Sequence, residues 1–541
     1  MKKSHRLVSI LLCILLMLAA ASCAATPTTT GTAPTTTQSG TTATPTSSEK
    51  DYSEKMVISL ASIQIMDGMD YNYGDDWVKK WTSEFNVEWE ITSLTWENWA
   101  ERLRTWINAQ DMPDWCVWNY AHGEAVNYTD QGLLKELPGD WKSNWPNLAA
   151  AYQNTVMNEK MEDLFDGTYF LFRPVFALNR PSEKLSLHLS FYLREDWGKT
   201  AGVTVKDAMK ISEIIEYARA VKTANPGGID NFYPIVSRPG LIGIGVMSTV
   251  TYSGVYGTPF YQGDDGKYHW GPADQETLNA LKLYKQMYDE GLLHPEFYTL
   301  KDPDDVSAFY MTGKAAAIVS EGMAARMTQY NDYMAENLKV NFEDAVRVVI
   351  PVDESGVFHG TPVTNFWCAN IFSPDIDDEK FERLLDIMDY SCTDEAQLSI
   401  RMGIKGKDWE QDANGNLINK LPAGTILNNT YAIHPVYGNM MILSDDFQFL
   451  NPQFYEQYRN KVKTMYEMRD QLSTDESLPA EPDWTVQLYS SQVLNLASMV
   501  YTDEYASLIT KAGDLTANWQ AWVNEKMPMI QPVLDELNAK N

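Results

Sequence analysis

The sequence predicts an α/β fold in which mainly parallel strands are flanked by helices. Between residues 56 and 119 short apolar segments alternate with amphipathic helical segments, and crossovers of helix length imply parallel strands. Three further strand-like runs, at 315–320, 346–352 and 364–372, supply a second sheet or complete the first. About 490 residues follow position 50, which is enough chain for two to four compact units.

The first half of the pattern can be read element by element. "MVISLA" (56–61) is an apolar run typical of a buried strand, and "VEWEI" (87–91) alternates apolar and acidic residues with the strand period of two. "DWCVWN" (114–119) predicts a third strand. The segments between them, "DDWVKKWTSEF" and "TWENWAERLRTWINA", carry apolar residues at helical spacing.

Helices are also predicted further along the chain. "VKDAMKISEIIEYARAVKTANPGG" predicts a long helix that is ended by Pro226 and two glycines, and "DQETLNALKLYKQMYDEGLLHPEF" predicts one that stops at Gly291. "EKFERLLDIMDYSC" predicts a third, and "DANGN" (412–416) is a turn signal for a hairpin.

The three loops that follow the first three strands are the predicted ligand-contacting segments. In open α/β sheets, ligands lie beyond the carboxyl ends of the strands. Here those positions are 63–74, 92–96 and 118–128, and all three are rich in aromatic and amide side chains that can stack on and hydrogen-bond a polar ring. The candidates are Gln64, Asp67, Tyr71, Tyr73, Trp96, Trp118, Asn119 and Tyr120. For Trp118 and Trp96 a packing role is the alternative.

The amino terminus predicts a secretion signal and a tether. Residues 7–21 are apolar but too few to span a bilayer, and they follow Lys2, Lys3 and Arg6. The small residues before Cys23 resemble the lipobox of bacterial lipoproteins, although Ala20 stands where that motif usually has Leu. We therefore expect a signal peptide at 1–22, acylation of Cys23 and a disordered Thr/Ser/Pro tether to residue 50. The alternative is ordinary cleavage of the signal peptide, which would release the protein from the membrane.

Charge and cysteine content exclude several classes of protein. The formal net charge of −30 argues against nucleic acid as a partner. Cys116, Cys368 and Cys392 are widely spaced and odd in number, so they predict no disulfide framework. The runs around Cys116 and Cys368, "DWCVWNY" and "NFWCANIF", predict that these two are buried thiols. The seven histidines are scattered, so we expect neither a metal site nor another cofactor.

The chain resembles the extracellular solute-binding proteins of bacterial ABC importers, in the carbohydrate-binding family that includes maltose-binding protein. The closest resemblance is to the larger lipoproteins of Gram-positive bacteria. The stretches that carry it include "INAQDMPDW" (107–115), "DGTYFLFRP" (166–174), "YLREDWGKTAGVTVKDAMKISEIIEYARAVKTANPGG" (192–228), "YMTGKAAAIV" (310–319) and "GIKGKDWEQDANGNLI" (403–418).

The resemblance implies a type II periplasmic-binding-protein-like fold, with two hinge-linked lobes of mixed sheets flanked by helices. Lobe 1 would comprise 51–172 and 362–430, and lobe 2 would comprise 173–361 and 431–541. Ligand would bind between the lobes, whose closure the permease recognises. Four further candidates follow from the resemblance and lie on lobe 2 or at the hinges: Arg173, Arg194, Trp197 and Trp367.

The resemblance also implies a non-enzymatic monomer that is anchored outside the cell membrane of a Gram-positive bacterium and passes an oligosaccharide to permease subunits. Calcium is not carried over from some relatives, because Asp230 is the only carboxylate of the corresponding loop. A binder of peptide or another polar solute, a glycan-capturing adhesin and a secreted glycoside hydrolase remain alternatives, although no G-x-S-x-G or H-E-x-x-H motif occurs.

Overall fold

The computed structural model describes residues 50–539 with gaps. The longer gaps are 175–188, 239–258, 437–453 and 478–492, and the shorter ones are 64, 66–67, 120–121, 153–155, 264, 301, 360–365, 414–416, 423–424, 426, 432–435, 475–476, 494–495, 497–498 and 500. The chain divides after Asp51, and every strand and helix named below belongs to the unit that begins at Tyr52. Cys23, Gln64, Asp67, Tyr120 and the side chain of Trp367 lie outside the described residues.

The first sheet has five strands in the order β2-β1-β3-β12-β4. Its strands are β1 (Met56–Ile63), β2 (Val87–Leu94), β3 (Trp115–Trp118), β4 (Leu171–Pro174) and β12 (Phe366–Phe372). β1 pairs in parallel with β2 and β3, as the sequence predicts. β12 comes from much later in the chain and lies antiparallel between β3 and β4.

The second sheet also has five strands, in the order β6-β11-β5-β10-β7. They are β5 (Leu189–Arg194), β6 (Ala208–Lys210), β7 (Ile235–Val236), β10 (Ala317–Glu321) and β11 (Val346–Val352). β5 is antiparallel to both of its neighbours, whereas β7 pairs in parallel with β10 and β6 pairs in parallel with β11. The α/β class with mixed sheets is therefore confirmed.

Two hairpins complete the strands. β8 (Phe260–Gln262) pairs with β9 (Tyr268–Trp270), and β13 (Trp409–Gln411) pairs with β14 (Leu417–Asn419). The second of these confirms the hairpin predicted around 412–416.

Helices cover the faces of both sheets. In chain order they are α1 (Asp76–Phe85), α2 (Trp99–Ala109), α3 (His122–Asp130), α4 (Trp141–Asn144), α5 (Pro146–Tyr152), α6 (Val156–Phe165), α7 (Glu195–Thr200), α8 (Ile211–Ala224), α9 (Gln275–Asp289), α10 (Pro303–Met311), α11 (Ala324–Tyr333), α12 (Phe342–Ala345), α13 (Asp378–Ser391), α14 (Asp394–Met402), α15 (Leu427–Thr430), α16 (Glu456–Leu472), α17 (Thr502–Thr510) and α18 (Leu515–Ala539). A π-helical turn, Met334–Leu338, continues α11, and Gly271–Ala273 and Phe297–Thr299 are 3₁₀ turns.

The long helix predicted from residue 205 begins only at α8. Residues 208–210 instead pair with 350–352 as the edge strand β6, because tertiary pairing outweighs local helix propensity there. The Glu213 side chain accepts a hydrogen bond from the Lys210 backbone N–H at 3.0 Å and so marks the true helix start.

Buried apolar residues form three clusters that follow the two sheets. One cluster surrounds the first sheet and draws residues from 58–172 and 368–436. The other two lie on opposite faces of the second sheet: Phe191 and Leu193 of β5 point into one, and Tyr192 points into the other. Cys116 and Cys368 are buried, as predicted. None of the helices within the described part of the chain is long and apolar enough to cross a membrane.

Candidate functional site

One edge of the first sheet is formed by the ends of strands from which the predicted ligand-contacting loops begin. β1 and β2 end side by side, with Ile63 opposite Leu94, and β3 runs in the same direction. β4 is parallel to these because both β3 and β4 pair antiparallel with β12. The carboxyl ends of β1–β4 and the amino end of β12 therefore meet at one edge, which we call edge 1.

The second sheet has a matching edge. β10 ends at Glu321, opposite Leu189, with which β5 begins. β11 runs parallel to β10 because both are antiparallel to β5, so Val352 ends at this side as well. We call it edge 2. The chain passes from Pro174 to Leu189 and back from Val352 to Phe366, so both crossings join edge 1 to edge 2.

Residues at the start of the second crossing are held firmly to edge 2. The Asp353 carboxylate accepts the Val357 backbone N–H at 2.8 Å and lies 3.0 Å from Nε2 of His359. These hydrogen bonds outweigh partial burial and hold the pKa of Asp353 well below its usual range. The Phe358 backbone N–H donates to the carbonyl of Leu472, at the end of α16.

One buried arginine contacts the second crossing and the strand that follows the first. Arg469 on α16 is 1% exposed, and its Nη2 donates to Oγ of Ser190, in the strand that follows the first crossing. Its guanidinium also lies 5.7 Å from the ring of Phe358. Burial lowers the pKa of Arg469 to about 10, so the group stays charged at neutral pH.

Among the predicted ligand residues, Trp96 and Asn119 lie exposed at edge 1. Trp96 follows β2, is 44% exposed and makes an edge-to-face contact with Trp99 at 5.9 Å between ring centroids. Asn119 directly follows β3. Oγ of Ser93 donates to the carbonyl of Ile65, which keeps the start of the first loop at the same edge. These positions suit a ligand-contacting aromatic ring and amide.

The rest of the first loop turns away from edge 1. The Asn72 amide exchanges two hydrogen bonds with the backbone of Trp89, in the amino-terminal half of β2. The Tyr73 hydroxyl contacts Glu88 and Lys55, and the Tyr73 side chain is 53% exposed. Tyr71 packs half-buried against the core of the first sheet. The structure therefore places the Tyr73 side chain beside the start of β2, and ligand contact by either tyrosine stays a prediction.

Trp118 and Arg173 are at edge 1 but inside the protein. Trp118 is 2% exposed and packs against Tyr128 and Phe170, with ring centroids 5.9 and 5.7 Å away. Arg173 is fully buried, and desolvation lowers its pKa despite the neighbouring Cys368 and Tyr152. These contacts favour the packing role for Trp118, the alternative that the sequence left open.

Arg194 and Trp197 lie at the opposite end of the second sheet. Arg194 pairs with Val346, at the start of β11, so it is about 17 Å along β5 from edge 2. Nε and Nη2 of Arg194 donate to the two Asp196 oxygens at 2.8 and 2.6 Å, and the guanidinium lies 4.4 Å from the Trp197 ring. This pairing gives both residues a structural role, and ligand contact by either stays a prediction.

A charged cluster at edge 2 is absent from the sequence-based candidates. Glu321, the last residue of β10, accepts from Nη2 of Arg238 at 3.4 Å and from Nε of Arg326 at 3.1 Å. The Ser320 hydroxyl donates to the same carboxylate at 3.0 Å. The two guanidinium groups and Ser320 outweigh burial, so the pKa of Glu321 lies below its usual value. The signal that could have found Glu321 is its position after the predicted strand 315–320.

No group of three or more potential metal ligands occurs within the described ranges. The groups described at edge 1 are an aromatic ring and an amide, and those at edge 2 are ion-paired side chains. Such groups can stack on or hydrogen-bond a polar molecule.

Comparison with known proteins identifies the family. Residues 70–353 match the profile of the bacterial extracellular solute-binding protein family, more than half of the chain, so the chain belongs to this family. It is also 26% identical over 340 residues to the lipoprotein LipO of Bacillus subtilis (strain 168), in an alignment that covers 62% of this chain and 63%, less than two thirds, of LipO.

Solved structures share the fold at low sequence identity. The alginate-binding protein AlgQ2, solved without calcium ion, superposes with a TM-score of 0.65 at 14% identity, covering 90% of this chain and 98% of AlgQ2. The FusA substrate-binding protein of S. pneumoniae, in complex with kestose, gives 0.62 at 14% identity, with 90% and 100% coverage. These likenesses confirm the predicted fold class, that of the two-lobed solute-binding proteins.

The two tryptophans at edge 1 are expected to differ in how strongly their truncation destabilises the fold. Trp118→Ala should lower the free energy of unfolding by about 3–5 kcal/mol, because it empties a large buried volume. Trp96→Ala should cost about 1 kcal/mol or less, since its ring is half exposed. Urea unfolding of both variants checks this. A small effect of Trp118→Ala would contradict its placement in the core.

The ion pairs of Glu321 predict a pH-dependent contribution to stability. Because the pKa of Glu321 is lower in the folded than in the unfolded protein, the ionised carboxylate stabilises the fold above about pH 4.5. This stabilisation is lost as the pH falls through the folded-state pKa. We expect Glu321→Gln to reduce the free energy of unfolding by roughly 1–3 kcal/mol at pH 7 and by less below pH 4. Denaturant curves at both pH values, with Glu336→Gln as an exposed control, measure the difference; equal losses at both would refute the pairing.

Proposed function

We propose that this protein is the membrane-anchored substrate-binding protein of an ABC importer. It captures an oligosaccharide between two lobes outside the cell and delivers it, chemically unchanged, to permease subunits. The proposed lobes are 51–172 with 362–430, and 173–361 with 431–541.

The observation that carries the proposal is the joining of edge 1 to edge 2 by two chain crossings. Ligands of α/β sheets bind beyond the carboxyl ends of the strands. Here edge 1 and edge 2, which are such ends in the two sheets, are joined by both crossings of the chain. Trp96 and Asn119 at edge 1 offer a stacking face and an amide, and edge 2 offers charged donors and acceptors. A guest between the edges would contact both lobes and favour their closure.

The ligands of structural neighbours support a carbohydrate as the guest. AlgQ2 is alginate-binding, FusA was solved with kestose, and NgtS of Streptococcus pneumoniae, an N-glycan transport protein with a TM-score of 0.52 at 13% identity, was solved with Man5GlcNAc. Aromatic rings beside amides are the side chains that recognise sugar rings, which favours a saccharide over a peptide.

Ligand binding is expected to raise the thermal midpoint of the full-length protein. In a screen of oligosaccharides and peptides, a ligand at 100 times its Kd should stabilise the folded state by about 2.7 kcal/mol and raise the midpoint by several degrees. Trp96→Ala should diminish this shift, and Met529→Ala, which removes an exposed apolar side chain on α18, should not.

The same screen separates binding from catalysis. After incubation the oligosaccharide should be recovered with its original mass and without new reducing ends. New reducing ends would favour the glycoside hydrolase alternative, and stabilisation by peptides alone would replace the carbohydrate with a peptide ligand.

The proposed lipid anchor depends on Cys23, which is expected to carry two acyl chains. Two chains hold a protein stably at a bilayer, whereas none leaves it free. In the producing cell, Cys23→Ser should move the protein from the membrane fraction to the medium, with its thermal midpoint unchanged. Fractionation followed by immunoblotting measures this, and release of the unsubstituted protein in equal amount would contradict the anchor.

A further inference from the structure

We propose that Trp99 is a positioning residue for ligand binding at edge 1, where it holds the Trp96 ring in its stacking orientation before the ligand arrives. The inference rests on the proposed capture of a carbohydrate, in which the apolar face of a sugar ring stacks on Trp96. A hydrogen-bonded turn and a buried tryptophan fix this aromatic surface from two sides.

The turn that carries Trp96 is closed by three hydrogen bonds. The Thr95 backbone N–H donates to Oδ1 of Asn98 at 3.0 Å, and the Asn98 backbone N–H donates to Oγ1 of Thr95 at 3.2 Å. The Trp99 backbone N–H donates to the Thr95 carbonyl at 3.0 Å. Trp96 lies between the bonded residues, so its backbone has little freedom to move relative to the start of α2.

Asn98 braces this turn instead of capping the helix. It stands at the N-cap of α2, a position where asparagine is preferred because its side-chain oxygen can accept an N–H of the first helical turn. Among the described residues of this helix, none donates a capping hydrogen bond to the Asn98 side chain, whose oxygen accepts from Thr95 instead. The side chain that could have stabilised α2 therefore fixes the geometry around Trp96.

The Trp99 side chain supports the Trp96 ring from inside the protein. It is 3% exposed, and its Nε1 donates to the carbonyl of Val117 in β3 at 2.8 Å. Close packing and this hydrogen bond fix the orientation of the Trp99 indole. The Trp96 ring meets it edge to face, at an interplanar angle of 81°, so an exposed aromatic ring rests on a rigid partner.

The hydrogen bond to Val117 also links the two ligand contacts proposed at edge 1. Val117 lies two residues before Asn119, and Trp99 lies three residues after Trp96. β1 separates β2 from β3 in the sheet, so the loops that carry the ring and the amide leave strands that are not neighbours. Trp99 therefore fixes one loop relative to the other. Groups that are ordered before binding lose less conformational entropy on binding, which raises affinity.

A double-mutant cycle tests whether Trp99 acts through Trp96. The probe is whichever of the malto-, fructo-, manno- and uronate oligosaccharides gives the largest thermal shift, titrated calorimetrically into the full-length protein. Trp99→Phe keeps an aromatic ring but removes the Nε1 donor, and it should weaken the affinity about three- to tenfold. In a Trp96→Ala background the same substitution should change the affinity by less than about twofold, because the ring that Trp99 positions is gone.

Trp141→Phe is the matched control. Trp141 is also buried, with 5% exposure, and its Nε1 donates to Oγ1 of Thr168 at 3.0 Å. Thr168 precedes β4, at the end of the first sheet opposite edge 1. This variant should lower the thermal midpoint as Trp99→Phe does, because both lose a buried hydrogen bond and buried volume. Its saccharide affinity should equal that of the unsubstituted protein.

Two further measurements keep the test independent of how far Trp99→Phe destabilises the fold. Asn98→Ala removes the brace of the turn without emptying the core, so it should weaken saccharide binding while the thermal midpoint changes little. Near-ultraviolet circular dichroism reports the asymmetric environment of Trp96 without a ligand. The difference spectrum between the unsubstituted protein and Trp96→Ala should largely disappear when both carry Trp99→Phe.

The outcomes distinguish the positioning role from the function on which it rests. If Trp99→Phe weakens binding equally with and without the Trp96 ring, or if Trp141→Phe weakens it as much, Trp99 is a packing residue only and carbohydrate capture stands. An unchanged dichroism difference spectrum would overturn the positioning role in the same way. If no saccharide binds, the proposed function fails, and the positioning role fails with it.

Discussion

The direction of two strands fixes the architecture of this protein. A chain that enters a sheet at the carboxyl edge of its strands must run antiparallel to them, and β5 and β12 are the strands that do so. Each lies inside its sheet and is hydrogen-bonded on both sides, so neither can be removed without dividing the sheet. β4 and β11 leave by the same edges. Both crossings therefore connect carboxyl edges, where polar loops of parallel strands converge.

The contacts around the crossings show how each is held. On the side of the second sheet, Arg469 bonds to Ser190 of β5 and lies against Phe358, so one buried cation links the second crossing to the strand that follows the first. On the side of the first sheet, the register of β12 shifts between Phe366 and Ala369, and Cys368 has a φ of 62°. A positive φ at a non-glycine residue is uncommon, and it persists only where surrounding packing imposes it. Cys368 is buried near Arg173 of β4, so a buried arginine also lies beside the strand that follows the second crossing.

Sequence periodicity predicted the strands that are long or strongly apolar. It failed where pairing with a distant strand determines the secondary structure. Apolar runs or alternation predicted six strands: β1, β2, β3, β10, β11 and β12. The three-residue β6, in contrast, lies in a segment whose pattern is helical.

The β-α-β rule correctly brought Trp96 and Asn119 to one edge. It could not foresee that hydrogen bonds of Asn72 to β2 would carry Tyr73 away from it. Nor could it reveal that Arg238 and Arg326, which are far apart in the chain, both pair with Glu321 at the end of β10. Arg194 is held by a local ion pair with Asp196, and ligand contact by Arg194 stays a prediction.

The same limitation applies to charge. A net charge of −30 indicates how the whole surface acts on distant partners, but a single strand end is governed by the few charges within several ångströms. Most acidic side chains of this protein cannot act strongly on edge 2, because screening in salt reduces interactions beyond about 8–10 Å. At Glu321 the nearest opposite charges are Arg238 and Arg326, which pair with it directly. The net charge of the whole chain therefore does not decide the potential at this edge, because folding places two of its scarce cations there.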